Sequence, residues 1–476
     1  MLMDWAAGHG VLVRWQPGQN WAYIDGPPAA VATAFAVPVH NYRSPDGQVF
    51  YASAQQPAVP ASLARQVRDL GRILNFNPIR RLHGPAPLDV PHGGPGGGLS
   101  PDQLRTAYNA DPLGTTGEGQ TVAFIEGFGE DGYTKDDLAT YVHRYPRLGP
   151  FNLLAPINGR PGKPEGETEM DLEVVHAIAP RAQLVIVDID HTPGDNVMES
   201  LANVFSTIDR RFPGAVVSAS MGFGCDSLWK PTDTLPLKSV LAAAEGRGMS
   251  VFESSGDNGG FECKWVNAAH DPKDWSGPPT DEDKGVDPIA SMWEITDVGG
   301  TTLSTYQSGK WAAEESWVDV PMQEGTGGGP SALYSRPPFQ STVSSPVDAT
   351  NRLTPDVAAD ADPSTGAAVY LAGQWAKGGG TSQSAPIWAG LTALMNEYLS
   401  SRGGHAIGDA NPVLYQVAAS GARPAFHDVI LGGNCVYNAA VGYDVVTGLG
   451  TPDTDALVHD ILDSQLGVGP NGRAQP

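Results

Sequence analysis

The chain of 476 residues is longer than one ordinary domain and long enough to bury a large core. Its 29 basic and 53 acidic residues give a net charge of −24, which argues against nucleic acid and anionic membrane surfaces as partners. No apolar run approaches the ~20 residues that a membrane-spanning helix needs. The chain holds 58 glycines and 41 prolines, so it is rich in loops, and its excess of carboxylates suits a protein that meets acid.

Residues 1–83 predict a small α+β unit. Two pairs of strands, each joined by a turn that contains proline and glycine, alternate with two helices. The amino end, residues 1–13, lacks the basic head, apolar core and cleavage site of a secretory signal. The predicted strands cover residues 11–15, 21–24, 36–42 and 48–51, and the helices cover 29–35 and 63–74.

A segment dominated by glycine and proline, residues 84–99, follows this unit. This composition is typical of a flexible linker, so we predict a domain boundary there. Residues 100–460 then form the main domain, and residues 461–476 form a C-terminal tail.

Strands and helices alternate along the main domain. Because the strands are continuously apolar, we expect a mostly parallel sheet with helices on both faces. Ligands of such sheets lie beyond the carboxyl ends of the strands, where Glu126, Met221 and Asp257 fall. The predicted strands cover 121–126, 183–187, 215–220 and 250–255, and the helices cover 134–142, 167–177, 196–209 and 237–245.

Ser382 lies in the string Gly-Gly-Gly-Thr-Ser-Gln-Ser-Ala-Pro, residues 378–386, just before an apolar helix. A serine at a glycine-to-helix junction suits a nucleophile whose product is an oxyanion, because the helix dipole favours an anion there. The structural alternative is an ordinary helix cap. Gly-Thr-Ser-x-Ser-x-Pro is the nucleophile motif of subtilisin-like proteins, but the histidine motif of a subtilisin is missing. The base must therefore be another residue.

Helix 167–177 begins with acidic residues. Glu167 and Asp171 are four residues apart and share one helix face, either as a functional pair or as acids that complement the helix dipole. His176 is about half a turn out of phase with Glu167, so we expect a packing or surface role for it. Asp257, in Gly-Asp-Asn-Gly after a strand, is by itself typical of a turn.

Together these motifs resemble the sedolisin family of serine-carboxyl peptidases, of kumamolisin-like type. Ser382, the Glu167–Asp171 pair and Asp257 in Ser-Gly-Asp-Asn-Gly occur in the family's order Glu, Asp, Asp, Ser, and the resemblance runs from about residue 10 to 455. It implies a subtilisin-like catalytic domain at 100–460. It also implies a ferredoxin-like propeptide at 1–83, shortened at its amino end, with a processing site within 84–99.

The resemblance also implies a role for each of these residues. Glu167 would be the general base that takes the proton of Ser382, and Asp171 would support Glu167. Asp257 would be protonated and donate a hydrogen bond to the oxyanion. A carboxylate base has a reference pKa of ~4.3 against ~6.5 for histidine, so the working range moves to acid.

One position departs from the family pattern. Glu126 matches a glutamate on the family's first strand, but Met221 occupies the place of the tryptophan that this glutamate approaches. We therefore expect a shorter outer hydrogen-bond network beside the site.

The carboxyl-terminal part resembles the family's calcium site. The resemblance implies one structural calcium ion with an all-oxygen shell, which Ca²⁺ prefers. Without it, the two acidic segments would be interpreted as turns. The implied ligands are the carboxylates of Asp428 and Asp444 and the carbonyl oxygens of Val429, Ala440 and Gly442.

The three cysteines leave two alternatives open. One is a single disulfide between Cys225 and Cys263, in neighbouring loops, with Cys435 left over. The other is three free thiols.

We therefore predict an acid-acting, secreted serine-carboxyl endopeptidase, made as a monomeric zymogen. Its partners would be protein or peptide substrates and its own propeptide, which acts as inhibitor and chaperone. The rival hypotheses are a histidine-dependent subtilisin, a catalytically silent peptide-binding homologue and a tripeptidyl-peptidase. A carboxylate-pair glycosidase would leave the Gly-Thr-Ser string unexplained.

Overall fold

The structure, a computed structural model, describes most of the chain. The greater part of the predicted linker, residues 84–93, and the end of the predicted tail, 469–476, lie outside the described residues, as do the predicted turns of the two hairpins. The described residues are 2–14, 23–43, 49–53, 55, 57–67, 70, 73, 94–127, 132–157, 164, 166–189, 197–264, 280–319, 324–347, 349–420 and 422–468.

The described part of the amino-terminal unit contains two helices and two separate β-hairpins around Trp5, Phe35 and Leu63. The expected helix over 63–74 is wrong in its described part: residues 61–66 form turns, in which Gln66 N donates to Leu63 O across three residues. The helix over residues 2–9 was not expected. A ferredoxin-like topology stays a prediction. The elements are α1 (Leu2–His9), β1 (Leu12–Arg14), β2 (Tyr23–Asp25), α2 (Pro28–Phe35), β3 (His40–Arg43) and β4 (Val49–Ala52).

The main domain is built on a seven-stranded, mostly parallel sheet, which confirms the predicted fold class. The predicted strands and helices of residues 121–255 all form, with ends within two residues of the expected ones. The sheet strands are β5 (Thr121–Gly127), β6 (Gln183–Ile189), β7 (Val216–Ala219), β8 (Ser250–Ser254), β9 (Thr296–Thr305), β10 (Trp311–Ser316) and β15 (Val357–Asp360). Their order is β10-β9-β8-β7-β5-β6, with β15 parallel to β9 and β10 antiparallel to it.

Alternate side chains of the sheet enter two apolar cores. Val122 and Phe124 face the larger core, whereas Ala123 and Ile125 face the second. Burial on both faces explains why the strands are continuously apolar. The helices of the main domain are α3 (Pro101–Ala107), α4 (Lys135–Arg144), α5 (Glu167–Ile178), α6 (Val197–Arg211), α7 (Leu235–Glu245), α8 (Thr381–Ser401), α9 (Ala410–Ser420) and α10 (Thr454–Gln465).

Short strands and 3₁₀ turns complete the domain. Among the described helices, none is both long and apolar enough to cross a membrane. The remaining strands are β11 (Val318–Asp319), β12 (Glu324–Gly325), β13 (Gly329–Ser335), β14 (Asn351–Thr354), β16 (Ala368–Leu371), β17 (Gln374–Lys377), β18 (Phe426–His427) and β19 (Thr451–Pro452). The 3₁₀ turns are Pro95–Gly97, Asp111–Leu113, Asp226–Leu228, Asp281–Asp283 and Pro338–Thr342.

Two predicted segments differ from the structure. Residues 94–99, expected within a flexible linker, pack against the main domain: Leu99 N donates to Gly366 O at 2.9 Å, and Ala368 N donates to Leu99 O at 2.8 Å. A Cβ added to Gly98 would lie 2.6 Å from Ala368 N, so glycine serves close packing here rather than flexibility. Helix α10 also continues five residues beyond position 460, where the tail was expected to begin.

The structure decides between the two cysteine alternatives. Cys225 and Cys263 form a disulfide with their Cα atoms 4.4 Å apart, and Cys435 is exposed. A Cβ added to Gly285 would lie 2.2 Å from Sγ of Cys263, so the disulfide fills the space beside this glycine.

Candidate active site

The three glycines before α8 fold tightly against the protein itself. Gly380 has φ 75° and ψ 163°, and an added Cβ would lie 2.7 Å from Oδ2 of Asp257. A side chain is therefore excluded at 380 by both the backbone and the carboxyl. A Cβ on Gly379 would lie 2.4 Å from Cγ of Pro363. Glycine at 379 therefore allows Pro363 to approach the backbone closely.

Ser382 is the second residue of α8. The N-cap of this helix is Gly380, and no side chain caps it. Ser382 is therefore not the helix cap, which removes the structural alternative. Its side chain is half-buried at the positive end of a helix that is buried along almost its whole length.

Glu167 is the first residue of α5 and meets Ser382 across the site. The Ser382 side chain lies close enough to the Glu167 carboxyl to lower its pKa. Burial has the larger, opposite effect, and the charge of Asp257 adds to it, so the pKa of Glu167 lies above its ordinary value. Its Oε1 is buried without a hydrogen-bond partner in the described structure.

Asp171 lies one turn further along α5 and is fully buried. Burial and then the charge of Glu167 raise its pKa well above the ordinary value. The Ser220 hydroxyl donates to Oδ2 of Asp171 at 2.9 Å and also lies 3.1 Å from the carbonyl oxygen of Ser382. Oδ1 has no hydrogen-bond partner in the described structure.

Asp257 lies beyond the carboxyl end of β8, next to the first turn of α8. Its Oδ1 accepts hydrogen bonds from the N–H of Thr381 at 2.8 Å and from the Thr381 hydroxyl at 2.7 Å. Burial raises the pKa of Asp257, and these two bonds oppose the rise. Its Oδ2 is the oxygen that faces Gly380.

Glu126, the penultimate residue of β5, lies near these carboxyls. It is buried, and its charge contributes to the raised pKa of Asp171. Met221 packs, partly buried, against the second apolar core. A methionine cannot supply the indole N–H of the tryptophan that the resemblance places there.

His176 has a packing role, as expected. It is buried, stacks on Phe151 with ring centroids 4.0 Å apart, and lies with Nε2 3.1 Å from the carbonyl oxygen of Gly149. Burial lowers its pKa to about 4. Among the described residues no histidine hydrogen-bonds to Ser382.

Sequence reasoning assigned no role to Ser220 or Thr381, although Ser220 directly precedes Met221 and Thr381 directly precedes Ser382. Ser220 directly follows β7, so its position after a parallel strand was a usable signal. Thr381 precedes Ser382, and its pairing with Asp257 depends on two segments 124 residues apart. No sequence pattern shows that contact.

The five expected calcium ligands lie in one loop region. Oδ2 of Asp444 accepts from Ala440 N at 2.7 Å, and Oδ2 of Asp428 accepts from Gly442 N at 2.9 Å. The carbonyl oxygen of Val429 faces the same region, 3.3 Å from the Thr447 hydroxyl. Within the described ranges no group of three or more His, Cys, Asp or Glu side chains could hold a metal. The expected calcium site contains two such side chains, those of Asp428 and Asp444.

Known proteins similar to this chain include several peptidases. The chain is 30% identical to kumamolisin from Bacillus sp. (strain MN-32) over 97% of this chain and 83% of that protein. It is 28% identical to sedolisin from Pseudomonas sp. (strain 101), over 95% and 76%, and 27% identical to tripeptidyl-peptidase 1 from Bos taurus, over 85% and 72%. No family model matches the chain.

The fold is also similar to that of a solved peptidase structure. Pseudomonas sedolisin, a serine-carboxyl proteinase solved with two molecules of pseudo-iodotyrostatin, matches with a TM-score of 0.65 at 28% identity, over 76% of this chain and 98% of that one. The fold and these relatives define a serine peptidase with a subtilisin-like catalytic domain. The chain belongs to the sedolisin family, the serine-carboxyl peptidases.

Proposed function

We propose that the protein is an acid-acting serine-carboxyl endopeptidase, made as a zymogen, in which Ser382 is the nucleophile. The observation that carries this proposal is that the Ser382 side chain, at the positive end of α8, lies beside the carboxyl of Glu167, closely enough to lower its pKa. Nucleophile and base within hydrogen-bond reach are the arrangement that acyl transfer needs.

Glu167 is the base. The hydroxyl oxygen of Ser382 attacks the peptide carbonyl carbon while its proton passes to Glu167, and Glu167 then gives this proton to the leaving amine. Asp171 positions Glu167, because two close carboxyls share one proton and cannot both ionise readily. Burial raises the pKa of both members, so the pair retains a shared proton in acid while one carboxylate is free to act as the base.

Asp257 stabilises the oxyanion. Its Oδ1 is occupied by Thr381, so a proton on Oδ2 is the hydrogen that can be donated toward the substrate oxygen. Burial raises the pKa of Asp257 and favours this neutral form. Activity therefore rises with pH as Glu167 loses its proton and falls as Asp257 loses its own. Burial raises both pKa values, so activity is expected where the two titrations leave Glu167 ionised and Asp257 protonated.

The test is hydrolysis of denatured protein from pH 2 to 8 by the full chain, with Ser382→Ala and Glu167→Gln beside the wild type. We expect activity confined to acid and absent from both variants. Activity near pH 8 that survives Glu167→Gln would point to a histidine base, and inactivity of the wild type at every pH would favour a peptide-binding homologue.

The same incubation tests the mode of action and the zymogen. Peptides blocked at the amino end are cleaved by an endopeptidase, whereas a tripeptidyl-peptidase needs a free amino end. Electrophoresis should show the release of the amino-terminal unit by cleavage within residues 84–93, because residues 94–99 are bound to the main domain. Cleavage that persists in purified Ser382→Ala would contradict self-processing.

We also propose that Asp428 and Asp444, with nearby carbonyl oxygens, hold one calcium ion. Burial raises the pKa of Asp444 to about 7, and the charge of Asp428 adds to this. Both carboxylates accept backbone N–H bonds, but neither forms an ion pair within the described residues, so a cation would relieve the repulsion between them. The bound ion would supply structural stability and take no part in peptide hydrolysis.

Calcium binding is measured as a change in Tm. Removing calcium from the inactive Ser382→Ala protein should lower Tm, because an ion at 100 times its Kd stabilises the folded state by about 2.7 kcal/mol. The added change Asp444→Asn should abolish this response, whereas Glu118→Gln, an exposed residue, should preserve it. An equal Tm in calcium and in chelator would contradict the site.

Export from the cytosol also belongs to this proposal. The Cys225–Cys263 disulfide supports it, because disulfides persist in oxidising compartments. Recovery of the active enzyme from the culture medium of its own host tests it, and retention with the cytosolic fraction would contradict it.

A further inference from the structure

Gln383, the residue after Ser382, is fully buried and bonded at both ends of its amide. Its Nε2 donates to the carbonyl oxygen of Asp360 at 2.9 Å and to Oδ2 of Asp360 at 3.2 Å. Its Oε1 accepts from the N–H of Ala367 at 2.9 Å. A Cβ on Gly378 would lie 2.4 Å from this Oε1, so the glycine leaves room for the amide. A buried amide with these partners is held in one orientation.

Asp360, the partner of Gln383, is itself held firmly at the end of β15. Its Oδ1 accepts from the Thr365 hydroxyl at 2.7 Å and from Leu303 N at 3.2 Å. Its own N–H donates to the Tyr108 hydroxyl at 2.8 Å. Gln383 is thus tied to a fixed point in the central sheet.

Anchored side chains flank Ser382 on both sides. Thr381 before it donates to Asp257, and Gln383 after it donates to Asp360. The Ser384 hydroxyl donates to the carbonyl oxygen of Ala359 at 2.9 Å. The first turn of α8 is therefore fixed by its own side chains around the proposed nucleophile.

The contact with Ala367 also leads toward the helix that carries Glu167. Residue 367 precedes the hairpin β16–β17, in which Tyr370 N donates to Oε2 of Glu173 at 2.6 Å. Glu173 lies on α5, six residues after Glu167. The start of α8 and helix α5 are joined through Gln383 and this hairpin.

We propose that Gln383 is a positioning residue, which sets the placement of the Ser382 hydroxyl against Glu167 by tying the first turn of α8 to β15 and to the β16–β17 hairpin. It does not touch the reacting atoms. The inference rests on the proposed roles of Ser382 and Glu167.

Gln383→Ala removes these bonds and should move Ser382 away from Glu167. We expect kcat to fall about 10- to 100-fold with little change in KM, as for a displaced catalytic group. Because the neighbouring Ser382 side chain lowers the pKa of Glu167, moving it away should also shift the acidic limb of kcat/KM to higher pH. The carboxyls that face Glu167, Asp171 on α5 and Asp257 across the site, are unchanged in this variant.

Gln340→Ala is the matched control. Gln340 is equally buried, and its amide donates to Leu353 O at 2.6 Å and to the Tyr415 hydroxyl at 2.9 Å and accepts from Leu353 N at 3.0 Å. We expect this variant to lose Tm while keeping the kcat and the acidic limb of the wild type. If Gln383→Ala behaves in the same way, the inference is overturned.

Gln383→Glu keeps the size of the side chain and serves if the alanine variant does not fold. Its protonated carboxyl can still donate to Asp360 O, but once ionised it faces the carboxyl of Asp360, beside those of Asp362 and Glu314. At the acid end we expect activity near that of the wild type. As pH rises, we expect the variant to lose activity reversibly at a lower pH than the wild type does. An alkaline limb equal to that of the wild type would overturn the inference.

Ser382→Ala, assayed in parallel, separates the two hypotheses. If it retains activity, the proposed function fails. If it is inactive while Gln383→Ala matches Gln340→Ala, only the positioning role fails.

Discussion

At the scale of single residues, the proposed mechanism depends on two carboxyls whose pKa values burial raises. The neighbouring hydroxyls differ: the side chain of Ser382 opposes the rise at Glu167, and that of Thr381 opposes it at Asp257. A hydroxyl in such a position favours the ionised form of the carboxylate and opposes burial. In the proposed mechanism Glu167 acts as base after it loses its proton, and Asp257 acts as donor while it keeps one, so activity depends on both titrations.

Asp257→Asn tests the donor role. An asparagine can accept from Thr381 through its oxygen and keep an N–H₂ donor at every pH. We expect a smaller loss in kcat than the about 100- to 1000-fold that Asp257→Ala should cause, together with an alkaline limb moved to higher pH. The measurement is kcat against pH for both variants. Wild-type kcat with an unshifted alkaline limb in Asp257→Asn would remove Asp257 from the oxyanion role.

At the scale of elements, the segment that carries Asp257 is held by several distant parts of the chain. Gly259 N donates to Gly325 O, and Gly260 N donates to Asn434 O, both at 2.9 Å. Glu262 accepts hydrogen bonds from both nitrogens of Asn258, and its neighbour Cys263 is bonded to Cys225. The described part of this loop is therefore held at several points, as a preorganised oxyanion donor at Asp257 would require.

Replacing both Cys225 and Cys263 by serine should remove one of the contacts that hold this loop. The disulfide joins residues separated by 38 positions, and its loss should lower the free energy of unfolding by about 2–4 kcal/mol. The measurement is Tm at a fixed scan rate in the inactive Ser382→Ala background. Cys435→Ser, at an exposed position, is the control. An equal Tm for the double variant and the control would contradict the stabilising role.

At the scale of the whole molecule, many carboxyls are buried with raised pKa values. Burial raises the pKa of Glu173 to about 9, of Glu262 to about 8, and of Asp287 and Glu314 to about 7. The unfolded chain releases these protons near pH 4, whereas the folded chain retains them. Between these pH values the folded state binds more protons, so its stability falls as pH rises.

We therefore expect Tm to be highest in acid and to fall between about pH 5 and pH 8. The measurement is Tm of the Ser382→Ala protein across this range at constant calcium. Glu173→Gln, a neutral mimic of the protonated side chain, should show a shallower fall than its parent. A Tm maximum at neutral pH, or the same slope in Glu173→Gln, would contradict this account.

The sequence by itself determined the fold class and the places of the candidate catalytic residues on the helices. Continuous apolar strands predicted a covered parallel sheet, and the structure confirms it because both faces of the sheet enter apolar cores. Local patterns also placed Ser382 at a helix start and Glu167 and Asp171 on one helix face. These properties depend on residues close together in the chain, and so they can be inferred from it.

Only the tertiary structure decided the contacts between distant segments. The bonds of Thr381 to Asp257 and of Gln383 to Asp360 and Ala367 join segments that are distant in the chain and meet only in the folded protein. Composition misjudged residues 94–99 for the same reason, because a glycine that permits close packing has the same local signal as one that permits motion. Burial, which sets the pKa of each acid, is likewise a property of the folded whole and not of any single segment.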